Sequence, residues 1–354
     1  MGIDVLEHLE FYRDPDRFCG NPNLTRLAGG ELLLGFRWAE AGIRGDWDPT
    51  LRPVQMSADS VQGLTRAEPR VIHDADSTLT PYSKQLADGS LLCSINRWQV
   101  ATEEQVARYP GLERRDREGT VAALPAPVLI LRSTDRAKSW QPLSEIALAE
   151  EFGPGCGFRG NTLEMQNGDL LFAVWGRKRP PALAATSVLM RSANHGETWD
   201  RASTIADDPN AEVGFNETFL HPTPHGELVA FLRTSGADGN LFTARSTDGG
   251  ATWSEPVDEG IYGFPHDVLR LSGGDVLLTY GCRQAPYGVR GRLIDADCGN
   301  IGQAEEVIIR GDGYNGALGY PAAVQIEEDL VLLAYYHNTR GEPPWIGGTL
   351  LEIT

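Results

Sequence analysis

Six stretches of the chain share one pattern: a short extended run, a tight turn, and a second run that is alternating or wholly apolar. They are NPNLTRLAGGELLLGFRW (21–38), PYSKQLADGSLLCSINRW (81–98), NTLEMQNGDLLFAVWGRK (161–178), NETFLHPTPHGELVAFLRT (216–234), FPHDVLRLSGGDVLLTYGCR (264–283) and YPAAVQIEEDLVLLAYYHN (320–338). Strand formers flanking ADG, NGD or SGG are the mark of a β-hairpin. The turn positions Gly30, Gly89, Gly168, Gly226, Gly274 and Glu328 lie 59, 79, 58, 48 and 54 residues apart, which leaves room for two further strands in each unit. Self-similarity at such a period bounds the fold before any local assignment is made.

A second frame fills that room. STDRAKSW (133–140), SANHGETW (192–199) and STDGGATW (246–253) each follow an arginine and a strand-like run. An Asp or Asn in such a turn caps backbone donors, glycine where present relieves φ, and tryptophan anchors the turn on the sheet. These are the residues of the Asp-box, and the chain resembles the sialidase-like superfamily of BNR-repeat proteins from about residue 18 to its C-terminus. The resemblance implies an all-β fold, a six-bladed β-propeller of four-stranded antiparallel blades, forming one domain over residues 1–354. The Asp-box is structural and occurs in proteins of many functions, so it speaks to fold rather than activity. Between blades two and three the longer interval holds an insertion loop at 98–127, rich in charge, which follows Arg97. It is placed to act as a lid or subunit contact, with a solvated surface excursion as the plain alternative.

In a hairpin, residues equidistant from the turn are cross-strand neighbours. Glu217 lies eight residues before His225 and Arg233 eight after, so the two are expected together at the open end. The same count joins Asn21 with Arg37, Tyr82 or Ser83 with Arg97, Asn161 with Arg177, His266 or Asp267 with Arg283, and Tyr320 with His337. If all six hairpins are innermost, these ends ring one mouth of the central channel. Five of the six end in arginine. Gathering like charges in one place is unfavourable unless carboxylates or an anionic ligand offset it, and a guanidinium fork suits a carboxylate or sulfate. An anionic sugar or glycan is the expected ligand, and Asp267 joins the arginines among the expected binding residues.

The resemblance adds chemistry to particular residues. Sialidases hold a substrate carboxylate with three arginines, use a tyrosine nucleophile activated by a glutamate, and use an aspartate as acid/base. The NET segment looks like the glutamate motif and implies Glu217 as the activating base, with Arg233 as the second arginine. PYGVRGR (286–292) resembles the segment of the third and implies Arg290; GYP (319–321) lies where the tyrosine stands and implies Tyr320. A phenol of pKa ~10 is a poor nucleophile until a neighbouring base takes its proton, so the pairing also makes sense alone. The family's first-arginine motif has no counterpart at FCGNPNL (18–24), which leaves Arg37 or Arg97 to substitute, or a different acidic sugar as substrate. Asp46 and Asp48 in GIRGDWDPT stand as acid/base candidates, with HDAD (73–76) as the competitor and a turn-capping role as the plain alternative. His266 beside Asp267 could serve a lyase as general base.

Composition narrows the partners. The formal charge is −18, from 31 basic and 49 acidic residues, and only three of the basic ones are lysine. That balance speaks against nucleic acid and against an anionic membrane, both of which need a basic face. Five dispersed cysteines read as free thiols, and the histidines show no paired ligand spacing, so no metal and no cofactor are expected. No leader-like or membrane-spanning run is seen, which points to the cytoplasm, or to secretion where a leader has been removed. Homo-oligomerisation stays open. The expected function is an exo-acting glycoside hydrolase removing a terminal acidic sugar, sialic acid or a relative. The alternatives are an acidic-sugar lyase using His266 and Tyr320, or a non-catalytic glycan-binding propeller.

Overall fold

The second strand of each hairpin is apolar along nearly its whole length, and a strand of that kind needs cover on both faces. In the computed structural model, which describes residues 2–40, 48–75, 78–115, 119–148, 152–153, 155–177 and 184–354, neighbouring sheets supply that cover. Along Leu228–Ser235, Leu228, Ala230 and Leu232 enter a core cluster shared with the preceding sheet, while Val229 and Phe231 enter one shared with the following sheet. Leu330–His337 divides in the same way: Leu332, Ala334 and Tyr336 face the first sheet, and Val331, Leu333 and Tyr335 face the fifth. Burying each large apolar side chain contributes about 1.5–3 kcal/mol, so the cores between blades hold the ring together.

Six antiparallel sheets result, each with its hairpin innermost, and in blades one to five the blade strands run outward in sequence order. Blade four shows the plan, with Gly214–Pro222 innermost, then Leu228–Ser235, Asn240–Ser246 and Val257–Tyr262. This is the six-bladed β-propeller expected from the repeats. Blade six takes its outermost strand from the other end of the chain: Ile3–Tyr12 pairs with Trp345–Ile353, from Ile3↔Ile353 to Tyr12↔Ile346, and closes the ring by hydrogen bonds. The hairpin glycines Gly30, Gly89, Gly168, Gly226 and Gly274 all hold φ between 84° and 103°, a region that disfavours any side chain.

The Asp-boxes cap their own turns and also reach the preceding blade. Asp135, Asn194 and Asp248 accept the backbone N–H of Ser139, Thr198 and Thr252, each at 2.9 Å. Ser203, on the outer strand of blade three, donates to the Gly250 oxygen of the blade-four box at 2.6 Å and accepts the Trp253 indole N–H at 3.1 Å. Ser144 of blade two makes the matching bond to the Gly196 oxygen at 2.5 Å.

The excursion at 98–127 is hydrogen-bonded into blade two. Leu91–Ala101 runs on past the blade and pairs with Ala122–Pro125, which in turn pairs with Arg114–Arg115. Between them a short helix, Glu103–Arg108, starts at Thr102 with a reciprocal cap from Gln105.

Candidate active site

Counting from each turn sets Glu217 directly across from Arg233 only if the ladder is regular, and it is not. In blade four the register passes from Phe219↔Phe231 to Asn216↔Arg233, so the inner strand carries one residue more than its partner. The same step occurs in blade one, from Asn23↔Gly35 to Gly20↔Arg37, and in blade six, from Ala322↔Ala334 to Gly319↔Tyr336. An extra residue of this kind is a β-bulge, which bends the strand and re-aims a side chain. Glu217, Asn21 and Tyr320 stand in those bulges with φ of 38°, 52° and 53°. Left-handed backbone is unfavourable by about 1–3 kcal/mol for a residue with a Cβ and is retained where the surroundings over-determine it, often at functional sites. Three blades each turn one such residue onto the channel mouth.

The remaining pairings differ from the simple count for related reasons. Thr78 faces Arg97, while Tyr82 and Ser83 face Ser94 and Cys93. Blade three has an inner strand of only Leu163–Glu164, so Asn161 and Arg177 are not ladder partners. In blade five the inner strand begins at His266, which faces Tyr280, with Asp267 facing Thr279, so both lie in the body of the ladder and short of Arg283. His337 faces Trp345, not Tyr320.

The bulges bring Tyr320, Glu217 and Arg233 together. The Tyr320 hydroxyl donates to Glu217 Oε1 at 2.5 Å, and Arg233 Nη1 donates to the Tyr320 oxygen at 3.2 Å and to Glu217 Oε2. Arg233 also lies over the Phe264 ring, 4.5 Å from its centroid. Burial alone lowers the Arg233 pKa, but Glu217 and Tyr320 outweigh it and hold the guanidinium above its ordinary value, so it stays charged. The carboxylate is thus oriented by Arg233 and aimed at the phenolic proton, the arrangement a base needs before it can activate a nucleophile.

These groups line a cavity of about 650 Å³ at the channel mouth. Arg37, Arg97, Arg177, Arg233 and Arg283, the five arginines expected from the hairpin ends, all stand on its wall. Among the described lining residues Glu217 is the one carboxylate. Arg97 is spent locally, donating to the Pro127 oxygen at 3.0 Å and to Glu145 at 2.6 Å. Arg283 stacks over Phe264 and Tyr320, 4.9 Å and 5.9 Å from their centroids. Arg114, from the excursion, is a sixth arginine on the wall that counting from the turns did not reach.

Four expected residues are placed elsewhere. Arg290 sits on the third strand of blade five, Gly288–Ile294, 2% exposed, where it donates to the backbone oxygens of Val289 at 3.2 Å, Arg310 at 3.0 Å and Pro286. A strand two places out from the axis points its side chains between blades, so Arg290 does not reach the cavity. Asp48 accepts the Thr50 N–H at 2.8 Å and the Thr50 hydroxyl at 2.5 Å, the capping arrangement of a turn aspartate, and it is absent from the described cavity wall. His266 is fully buried and its pKa is pushed down to about 3, first by burial and then by Arg159 and Arg233, with a backbone contact to Gly263 opposing. It is held neutral behind the wall. Asp267 lines a second cavity of about 360 Å³ and accepts the Ala323 N–H at 2.9 Å; burial raises its pKa to about 6 against the opposing pull of Arg159. Asp46, with Asp76 of the competing HDAD segment, lies outside the described residues.

Arg159 escaped the sequence reading. It is 2% exposed, lines the second cavity, donates to the backbone oxygens of His266 at 2.7 Å and Pro321, and lies 5.6 Å from the Tyr320 ring centroid. A buried cation so placed props the strand that carries Tyr320 and adds positive potential beneath the phenol.

Residues 116–333 match the BNR repeat-like domain. A solved protein of unknown function from Dyadobacter fermentans is 32% identical over 100% of both chains, with a TM-score of 0.87. The Hadza microbial sialidase Hz136 is 15% identical over 94% of this chain and 65% of its own, with a TM-score of 0.66, a likeness of fold. Xyloglucanase Xgh74A of Acetivibrio thermocellus is 28% identical over 188 residues, covering 48% of this chain and 21% of its own length. The anhydrosialidase of Macrobdella decora is 25% identical over 269 residues, covering 69% of this chain and 32% of its own. The chain therefore spans about a fifth to a third of these curated relatives.

Proposed function

The chain belongs to the sialidase-like superfamily of BNR-repeat proteins, and from that premise we propose that it is a glycoside hydrolase that removes a terminal acidic sugar through a tyrosine nucleophile. The observation that carries the reading is the Tyr320 hydroxyl at 2.5 Å from Glu217 Oε1, with Arg233 bonded to both, inside an arginine-lined cavity. In the proposed step Glu217 takes the phenolic proton as the Tyr320 oxygen attacks the anomeric carbon. A new carbon–oxygen bond forms to Tyr320 as the bond to the departing group breaks, and the departing oxygen takes a proton from solvent. Water then attacks the anomeric carbon and breaks the tyrosyl bond, giving a proton back to solvent, while Glu217 returns its proton to the phenol. Arg283 and Arg233 suit the carboxylate of the sugar by charge and by their fork of donors.

Two other readings are weaker on physical grounds. A lyase needs a base on the cavity wall, and His266 lies behind it. A binding module has no use for two strained residues, Glu217 and Tyr320, locked together by a short hydrogen bond.

Aryl glycosides of sialic acid and of uronic acids test the proposal, because an aryl leaving group departs with little help from an acid and isolates the nucleophilic step. The expected result is release of free sugar from at least one of them, reduced by at least about a thousandfold in Tyr320→Phe. Undiminished turnover in that variant removes Tyr320 as nucleophile. Ultraviolet absorbance from an unsaturated product in place of free sugar makes the enzyme a lyase, and binding without turnover makes it a glycan-binding propeller.

A further inference from the structure

The chemistry above uses the side of the cavity built by blades four, five and six. The opposite side, built by blades two and three and the 98–127 excursion, also carries positive charge that this chemistry does not employ. Arg177 ends the second strand of blade three, Leu170–Arg177, and Arg114 opens the short strand Arg114–Arg115 of the excursion. Both line the cavity. They are near enough that Arg114 adds to burial in lowering the pKa of Arg177. Neither forms an ion pair with a carboxylate among the described residues; the Arg114 guanidinium bonds only to the backbone oxygen of Glu113, at 3.2 Å. Arg97 on the same wall shows the contrast, since Glu145 at 2.6 Å neutralises it. Stacking over Trp98, 5.6 Å from the ring centroid, steadies Arg114 without cancelling its charge. A third donor lies close by in the fold. Trp175 is two residues before Arg177 and so on the same strand face, and its buried indole N–H has no acceptor among the described residues. Two cations and a neutral donor, none with an anionic partner among the described residues, ask for acceptor oxygens from outside.

We propose that Arg114, Arg177 and Trp175 form a second anion site, so that the ligand is an acidic glycan with two anionic groups. One group belongs to the sugar held beside Tyr320; the other, a carboxylate or sulfate, belongs to the adjoining sugar. The inference rests on the acidic-sugar reading and narrows it: the excursion selects glycans with consecutive anionic residues. Guanidinium forks recognise both oxyanions by paired hydrogen bonds, and a cavity of about 650 Å³ has room for more than one sugar ring.

Calorimetric titration in the Tyr320→Phe background, where turnover is removed, tests this with three pairs of probes. They are α2,8-linked disialic acid against N-acetylneuraminic acid, a linked diglucuronate against glucuronic acid, and sialyl-α2,3-galactose with and without a 6-sulfate on galactose. In at least one pair the dianion is expected to bind about tenfold or more tightly than the monoanion. Which pair shows it tells carboxylate from sulfate. Arg177→Gln and Arg114→Gln are expected to bring that ratio towards one while leaving the monoanion's affinity unchanged, and Arg177→Lys to keep part of it; melting temperatures confirm that each variant is folded. If monoanions bind and the second group adds nothing, or the ratio survives both Gln substitutions, the second site is refuted while the acidic-sugar reading stands. If no probe in any pair binds, both fall together.

Discussion

Glu217 and Arg233 are held by each other as much as by the strands that carry them. Their side chains are 13% and 21% exposed and share an ion pair, so removing the carboxylate strands a guanidinium in a place poor in water. Breaking a buried pair from one side is destabilising on the order of 3 kcal/mol, and because alanine keeps a Cβ, Glu217→Ala gains nothing back from the left-handed backbone. Denaturant unfolding should therefore show Glu217→Ala as clearly destabilised. Glu217→Ala combined with Arg233→Met should cost less than the two single changes added together, by about 1 kcal/mol or more. Strict additivity would mean that the pair contributes nothing to the fold. The sequence made Glu217 and Arg233 legible because hairpin ends can be counted from a glycine turn, and Tyr320 through the resemblance at GYP. It also placed Arg283 at the mouth by the same count, whereas the resemblance pointed to Arg290, which lies between blades. The bulges were not legible: a one-residue insertion changes no composition, and its sign is backbone φ at Asn21, Glu217 and Tyr320. Arg159 and Arg114 were hidden because neither belongs to one of the six repeated hairpins, so no turn of that pattern fixes their register.

Among the elements, the Asp-box is more than a turn. Its frame was readable as a local cap, and the caps at Asp135, Asn194 and Asp248 are there. Its second role, as a clip to the preceding blade, was not readable, because the partner serines lie about 50 residues away on outer strands with no pattern of their own. Ser203 is the clearest clip, donating to Gly250 and accepting from Trp253. In Ser203→Ala a partly buried carbonyl and an indole N–H both lose their partner, an effect of about 1–2 kcal/mol. For a chain of this size that corresponds to a melting temperature lower by a few degrees, with Ser203→Thr expected to recover most of it. An unchanged melting temperature in Ser203→Ala would make the clip ornamental, and the apolar cores between blades would then carry the inter-blade stability alone.

At the scale of the whole molecule, closing six blades into a ring buries ionisable groups that a smaller fold would leave wet, and stability should record this as a dependence on pH. His221, His266 and His337 are buried, and burial before any other cause pushes their pKa values down to about 4, 3 and 4. An unfolded histidine titrates near ~6.5, so between roughly 6.5 and 4 the unfolded chain holds protons that the folded chain refuses. Stability on account of these histidines is present above pH ~6.5 and falls as pH drops, with a slope of up to ~1.4 kcal/mol per unit for each group. Asp267 acts in the opposite sense. Burial raises it to about 6, above its unfolded value of ~3.9, so its contribution is largest below ~3.9 and is lost as pH rises through about 6. Three groups against one leave a net loss on acidification. The melting temperature is expected to fall from pH 7 to pH 5, and Asp267→Asn, by removing the opposing group, is expected to steepen the fall between pH 6 and pH 4. A variant whose profile runs parallel to that of the parent would show that Asp267 titrates in the ring as it does in water, and that the channel beneath Tyr320 is open to solvent.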